Sequence, residues 1–347
     1  MPETVYFIPV ERFEGFGGVS AAAGALLRRL LTDTALDVRG ELPVKVHFGE
    51  KGNTTFIPAA YYDGLLDVLR AGGAEPFYIE TNVLYRGQRT HRADHERLAV
   101  EHGFTQVPVR IADGESGEAY TEVEINAKHF RKCKVGELFS HYDRMLVVSH
   151  FKGHVLAGFG GALKQLAMGC AARGGKMDQH ARAVPLILPW KCHKCHVCER
   201  ACPVGAIHIG AWPRISKTKC IGCAACIAKC PHGAVTPRSW NSLGGGFIER
   251  LTEYAYAAQK GKRCLYLSFA LNLTWGCDCQ GQTMRAVAPD LGILACTDPI
   301  AIDQACLDLL DARPGRRVYR RGRQALAYGE KLGMGSRTYT LQRLDAP

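Results

Sequence analysis

Eight of the chain's fifteen cysteines fall in a duplicated motif that any fold of this chain has to accommodate. CHKCHVCERACPVGAI from Cys192 recurs as CIGCAACIAKCPHGAV from Cys220, with every cysteine displaced by 28 positions. A duplication of this kind builds a pseudo-symmetric pair of units. Each copy runs C-x2-C-x2-C-x3-C-P, a spacing in which three thiolates wrap one face of an iron–sulfur cubane and the fourth reaches across to its neighbour. The spacing therefore predicts two 4Fe–4S clusters, one held by Cys192, Cys195, Cys198 and Cys230, the other by Cys220, Cys223, Cys226 and Cys202. Pro203 and Pro231 end the turns after the crossing ligands. Paired C-x2-C units also build tetrahedral zinc sites, but eight cysteines in this duplicated order point to clusters. Lys191, His193, Lys194 and His196 put positive charge between the first ligands, either favouring a reduced cluster or serving as solvated filler. Trp190 and Trp212 flank the segment and are expected to pack between domains.

With 347 residues, the chain has the length of about two domains. Hydrophobic residues at 47% and charged residues at 22% match a soluble globular protein, with no tract long enough to span a bilayer. MPETVYFIPVERFEG shows no basic stretch followed by an apolar run, so the expected compartment is the cytoplasm. Reducing conditions there disfavour structural disulfides, and clustered cysteines signal metal or catalysis. The formal charge is +11; two clusters with their thiolates, about −2 each, reduce it to roughly +7. A basic protein of this kind is expected to meet an acidic electron-donor or electron-acceptor protein and a small anionic substrate. Arg313, Arg316, Arg317, Arg320, Arg321 and Arg323 lack interleaved aromatic residues apart from Tyr319, so they read as a solvated linker or a dock for an acidic carrier, not as a nucleic-acid surface.

Outside the cysteine segment the chain alternates strand-like and helix-like stretches. Strands are expected at Val5–Val10, Pro43–Phe48, Pro76–Thr81, Arg144–Phe151, Cys264–Phe269, Leu291–Cys296 and Thr338–Leu344, and a hairpin over Tyr120–Gly136. Helices are expected at Val19–Leu31, Tyr61–Arg70, Phe247–Gln259, Pro299–Leu310 and Gln324–Leu332, with Asp298 capping the helix that Pro299 opens. The rhythm is that of parallel strands with crossover helices. The fold class is thus a discontinuous α/β domain, residues 1–185 and 239–347, with an inserted bacterial-type two-cluster ferredoxin-like (α+β) domain at residues 186–238.

The densest chemistry outside the cysteine repeat lies between Ser149 and His180, after a buried strand, where ligand sites of α/β sheets gather. Gly158, Gly160 and Gly161 suit close backbone approach around an anion or cofactor, or a tight turn before a packed helix. His150, Lys152, His154, Lys164, Cys170, Arg173, Lys176 and His180 exceed what a packing loop needs, and Lys164, His154, His180 and His150 are the catalytic candidates. Cys277 and Cys279, one residue apart, can grip a soft metal or make a redox dithiol. A third metal site would join Cys170, Cys277 and Cys279 to one of His150, His154 or His180, the plainer alternative being two reduced thiols in a loop with Cys170 packed against a helix. His47, Glu50, Lys51 and Asn53 form a further polar loop after a strand, as do Thr81, Asn82, Arg86, Arg89, His91 and His95, with solvated turns as the plainer alternative. Cys133, Cys264, Cys296 and Cys306 read as thiols without partners.

VKVHFGEKGNTTFI from Val44, SHFKGHVLAGFGGALKQLAMGCAARGGKMDQH from Ser149, WGCDCQG from Trp275 and DLGILACTDPIAIDQACLDL from Asp290 resemble, end to end, a family of iron–sulfur-centre proteins of unknown function. In that family a domain of unknown function is interrupted by a two-cluster ferredoxin module. Over about thirty residues, His154, AGFGGALK ending in Lys164, and His180 are also similar to nickel-pincer lactate racemases. That resemblance implies an acid/base role for His154, covalent cofactor anchoring by Lys164 and nickel ligation by His180, whereas the rest of the chain departs from the racemases. The leading expectation is an iron–sulfur oxidoreductase that delivers electrons to a substrate, or to an additional metal or organic cofactor, over the Ser149–His180 loop. No G-x-G-x-x-G follows a strand, so a nicotinamide is not expected. The alternatives are a non-catalytic electron carrier or assembly factor, and a non-redox racemase-like enzyme with regulatory clusters.

Overall fold

Strands of this chain are short apolar runs with side chains that fit both faces of a sheet, as parallel strands covered on both sides require. The computed structural model describes every residue except 1, 11, 12, 14, 15, 86, 181–183, 221, 237–245, 314–317 and 347. Eight strands, β1 (Glu3–Pro9), β2 (Gly40–Lys45), β3 (Ala74–Glu80), β4 (Val109–Ile111), β5 (Arg144–His150), β6 (Arg263–Ala270), β7 (Gly292–Cys296) and β8 (Tyr339–Arg343), form one sheet in the order β8-β1-β7-β6-β5-β2-β3-β4. All are parallel except β7, which runs against β1 and β6. Met145 and Val147 of β5 enter the core on one face, Leu146 and Val148 the core on the other. Helices α1 (Phe16–Thr34), α2 (Asp63–Ala71) and α3 (Arg92–Glu101) lie on the second face. Helices α4 (Ala162–Cys170), α6 (Gly246–Gln259), α7 (Pro299–Asp311) and α8 (Gln324–Lys331) cover the first, and α5 (Arg173–His180) leads from that face to the cysteine segment.

The expected elements are present with shifts of a few residues; β4, α3, α4 and α5 were not among them. β4 has only three residues, and α3, RADHERLAVE, buries only His95, Leu98 and Ala99, so neither carries a clear apolar period. Asp298 does cap α7, its carboxylate accepting the Ile300 and Ala301 amides at 2.7 and 3.0 Å. A second buried carboxylate, Asp303 on α7, accepts the amides of Ala162 and Leu163 at 2.7 and 3.0 Å and so anchors the start of α4.

In the cysteine segment, Leu186–Ile187 pairs antiparallel with Val235–Thr236, which sets the two ends of the segment side by side as an insert requires. Ile207–His208 pairs with Arg214–Ile215. The small core of the segment, Ile187, Ile207, Ile209, Ile227 and Val235 with several cysteines, also takes in Leu84 and Met177 from the α/β part. The expected boundary at residues 238–239 lies outside the described residues. Trp190 and Trp212 do not pack between domains: they are 77% and 78% exposed. No helix among the described residues is long and apolar enough to cross a membrane.

His95 is fully buried, edge-on to Phe48 at 5.6 Å, and neither ring nitrogen has a hydrogen-bond partner among the described residues. Burial, then Arg89 and Lys176, keep its pKa well below the ordinary histidine range. Below the unfolded value of about 6.5 the unfolded chain takes up a proton that the folded ring refuses, so stability falls as pH drops, by up to about 1.4 kcal/mol per pH unit for this group. Denaturant unfolding between about pH 7 and pH 5 should therefore show a shallower loss of stability in His95→Leu than in the wild type; equal slopes would mean that His95 titrates normally in the fold.

Candidate active site and cysteine clusters

Because β2, β3, β5 and β6 are parallel, their carboxyl ends bring together the loops that follow them. Asp278, after β6, is 1% exposed. Its carboxylate meets His150 Nδ1 at 3.0 Å, at the end of β5, and Lys152 Nζ at 2.9 Å, while His150 Nε2 lies 2.8 Å from the Leu271 carbonyl. Burial opposes ionisation, but His150, Lys152 and His47 together hold Asp278 well below the usual carboxylate range. The loop after β2 is tied in by backbone, with the Glu50 amide donating to the Asp278 carbonyl at 2.9 Å, and by Asn53, which donates to the Gln280 carbonyl at 2.9 Å. A second buried network joins Lys45 to Glu80 at 2.9 Å and Arg89 to Glu80 and Glu50 at 3.8 and 3.3 Å, with His47 Nε2 3.1 Å from Arg89. Lys45 and Glu80 were not singled out in the sequence; the signal for them was a charged residue closing an apolar strand, in PVK and FYIE.

Between these networks and helices α4 to α6 lies a cavity of about 100 Å³. Lys164, His154, His180, His47 and Cys279 line it on the polar side, Met168, Phe247 and Leu251 on the apolar side. His180 stacks on Phe247 at 5.3 Å, and burial, then His154 and Lys164, pull its pKa down to about 3, so it is neutral. Lys176 also lines the wall, but donates to Thr81 Oγ1 and to the Asn82 and Ala171 carbonyls at 2.5, 2.7 and 2.8 Å; burial lowers its pKa to about 8. Arg173 likewise donates to backbone carbonyls of Val83 and Thr90. His150, serving Asp278, does not line the cavity.

Cys277 sits beneath the cavity, 1% exposed, with Lys164 Nζ 3.6 Å from its sulfur and the Cys279 amide at 3.5 Å. His154, Cys277 and Cys279 offer ligand atoms within 4.8 Å of one another. Cys170 is not with them: it is buried at the end of α4, donates to the Gln165 carbonyl, and burial pushes its pKa to about 12. The expected third site is therefore reduced to Cys277, Cys279 and His154. The hydrogen bonds of His154 bear on what these three hold. Its Nδ1 accepts the Leu156 and Ala157 amides at 3.2 and 2.9 Å, which puts the proton of the neutral ring on Nε2, facing Cys277. A metal-bound histidine has the opposite arrangement, donating from its free nitrogen. As placed, His154 is a donor toward the Cys277 sulfur.

The three loop glycines have different neighbours. Gly158, at φ +86°, is approached by the Arg321 backbone and Gly161 by the Asp303 carboxylate, so that a Cβ would lie 2.1 and 2.2 Å from them; Gly160 faces Lys152 and Lys164. His154 also lines an open groove of about 750 Å³, together with Trp275, Arg285, Arg313, Arg320 and Arg321. Arg323 instead pairs with Asp311 at 2.5 Å. Arg86, Arg316 and Arg317 lie outside the described residues. His91 stands 3.4 Å from Ser116, and Lys51 is exposed. Cys133, Cys264, Cys296 and Cys306 are buried free thiols.

In the cysteine segment the structure repeats as the sequence does. Cys202, Cys220, Cys223 and Cys226 line one small cavity, and Cys192, Cys195, Cys198 and Cys230 another. Lys194 and Gly222, His196 and Ala224, and Gly205 and Gly233 all take positive φ, each pair separated by the 28-residue repeat. The Ala206 amide donates to Cys202 Sγ at 3.2 Å and the Ala234 amide to Cys230 Sγ at 3.3 Å. The first set abuts α5, where a Cβ on Gly174 would lie 3.5 Å from Cys223 Cα. Beside the second set, His193 and His232 stack at 4.1 Å and are exposed.

Among solved structures the chain is similar to the lactate racemase apoprotein from Thermoanaerobacterium thermosaccharolyticum, at 13% identity and a TM-score of 0.41, over 78% of this chain and 51% of that one. It is also similar to a crystal structure of a Thermotoga maritima protein, at 14% identity and a TM-score of 0.40, over 90% of this chain and 58% of that one. The chain thus spans a little over half the length of both. No curated protein matches it. The model of a domain of unknown function, DUF362, matches residues 43–308, well over half of the sequence, and the chain belongs to that family.

Proposed function

We propose that this protein is an iron–sulfur oxidoreductase, in which two 4Fe–4S clusters in a ferredoxin-like insert pass electrons to the cavity lined by Lys164, His154, His180 and Cys279. The observation that carries the reading is a shared wall. Leu84 lines that cavity and also belongs to the core of the cysteine segment, together with Met177 of α5. The donor set fits the clusters. All eight cysteines are free thiols, and they gather four and four in the crossed order, with backbone amides aimed at the fourth sulfur of each set. Bound there, clusters supply one-electron storage and transfer. The set against α5 is the inner one, and the set beside His193 and His232 the outer. The exposed Trp190 and Trp212, with Lys191 and Lys194, offer an acidic carrier protein a basic, partly aromatic place to dock.

Within the cavity Lys164 and His154 supply positive charge and a donated proton where an anionic substrate would sit, and the apolar wall of Phe247, Met168 and Leu251 limits water. A second reading, a non-redox racemase-type enzyme with regulatory clusters, is favoured by the convergence of His154, Lys164 and His180 on the same cavity. Stoichiometric nickel in the purified protein, with turnover indifferent to cluster oxidation state, would select it.

Two outcomes follow. Crossed ligation predicts that Cys202→Ser and Cys220→Ser, which belong to one set, leave the same residual EPR spectrum, and that Cys230→Ser and Cys192→Ser share the other. Iron should fall from about eight to about four per chain in each. Matching spectra within each sequence copy instead would mean uncrossed sites. Lys164→Ala should keep both clusters reducible yet slow the reoxidation of reduced protein by small anionic acceptors by about 100-fold or more. Unchanged reoxidation would point to a non-catalytic electron carrier.

A further inference from the structure

We infer that Cys277 and Cys279 form a redox-active dithiol that closes to a disulfide and opens again as the two-electron acceptor inside the cavity. This rests on the iron–sulfur reading and names what the electrons reach.

The residue between the two cysteines is fixed. Asp278 is held through its carboxylate by His150 and Lys152 and through its carbonyl by the Glu50 amide, and the Gln280 amide closes the turn onto the Cys277 carbonyl at 2.9 Å. With Asp278 turned into the sheet end, its two neighbours are left with their sulfurs together: the Cys279 amide lies 3.5 Å from Cys277 Sγ, and the two sulfurs are within 4.8 Å. Cys279 faces the cavity and Cys277 lies under it. Around Cys277 stand three donors: Lys164 Nζ at 3.6 Å, the Cys279 amide, and His154, whose tautomer is set by the Leu156 and Ala157 amides. That surrounding suits one thiolate, not a metal ion that needs the bare ring nitrogen. The pair is also electrically unequal. The hydrogen bond from Cys279, then Lys164 and Lys152, hold Cys277 well below the usual thiol range against burial, and the same pairing together with burial holds Cys279 well above it.

In the reductive step the Cys277–Cys279 S–S bond breaks on taking up two electrons, donated one each by two reduced iron–sulfur centres that are thereby oxidised. Cys277 remains a thiolate beside Lys164 and His154. Cys279 takes one proton from water entering by the groove, which shares His154 with the cavity.

The test uses full-length holoprotein, purified anaerobically, with its iron quantified and its clusters recorded by EPR, then oxidised with thionine. Titration with dithionite should consume about four electrons per wild-type chain, two for the clusters and two for the disulfide, and about two in Cys277→Ser/Cys279→Ser. Cys279→Ala, which leaves the buried Cys277 in place, should also consume about two. Iodoacetamide under denaturing conditions should leave the peptide containing both cysteines unlabelled in oxidised protein and doubly labelled after reduction. About two electrons in a wild type that shows both clusters, or double labelling in the oxidised state, would overturn the inference. So would stoichiometric zinc or nickel that the double variant loses. Absence of iron after reconstitution would instead sink the iron–sulfur reading, and labelling before and after a phosphine reductant would still decide the dithiol.

Discussion

Much of the site depends on a single buried anion. A carboxylate at 1% exposure is tolerable only when cations or hydrogen-bond donors surround it. For Asp278 they come from the end of a neighbouring strand, His150, and from Lys152 two residues on. The parallel pairing of β5 and β6, in register from Arg144 opposite Arg263 to His150 opposite Phe269, delivers them there. The sheet thus fixes the loop that carries both site cysteines. In the neighbouring network Glu80 and Glu50 answer Lys45 and Arg89 in the same way. Lys164 stands outside both arrangements. Among the described residues its one polar partner is the sulfur of Cys277, so in the cavity it is a cation that no carboxylate pairs, suited to a thiolate or an anionic ligand.

How much of this was legible in the sequence varied with how locally each feature is encoded. The cysteine repeat was legible because its spacing is local to the sequence, and the structure gathers its cysteines four and four. The positive φ of Lys194, His196 and Ala224 was not, since none is glycine and the strain is borne by the fold around them. Strands buried on both faces stood out, whereas the reversal of β7 did not, because the direction of a strand leaves no trace in its own residues. α3 was missed because it is polar almost all round. In the site, the His/Lys run and the Cys277–Cys279 pair were found from their density of chemistry. Cys170 was misplaced because sequence proximity to that run says nothing of which side of α4 it faces; it points into the core beneath Gln165. The exposure of Trp190 and Trp212 was hidden for a similar reason, as an aromatic residue at a segment boundary suits an interface as readily as an open rim.

The cavity has two differently lined neighbours, the cysteine segment and an open groove. The core of the cysteine segment meets the cavity at Leu84, an apolar side chain that belongs to both. On another side His154 alone is shared between the cavity and the open groove, whose arginines at 285, 313, 320 and 321 have no ion-pair partner among the described residues. On the proposed reading, small molecules and protons have a polar approach at His154, and electrons an approach through packed side chains. Since His154 is locked by two backbone amides, its ring cannot turn to pass a proton between its nitrogens without breaking both hydrogen bonds. It serves the cavity as a fixed donor at the threshold, and proton delivery to Cys279 falls to water in the groove beside it.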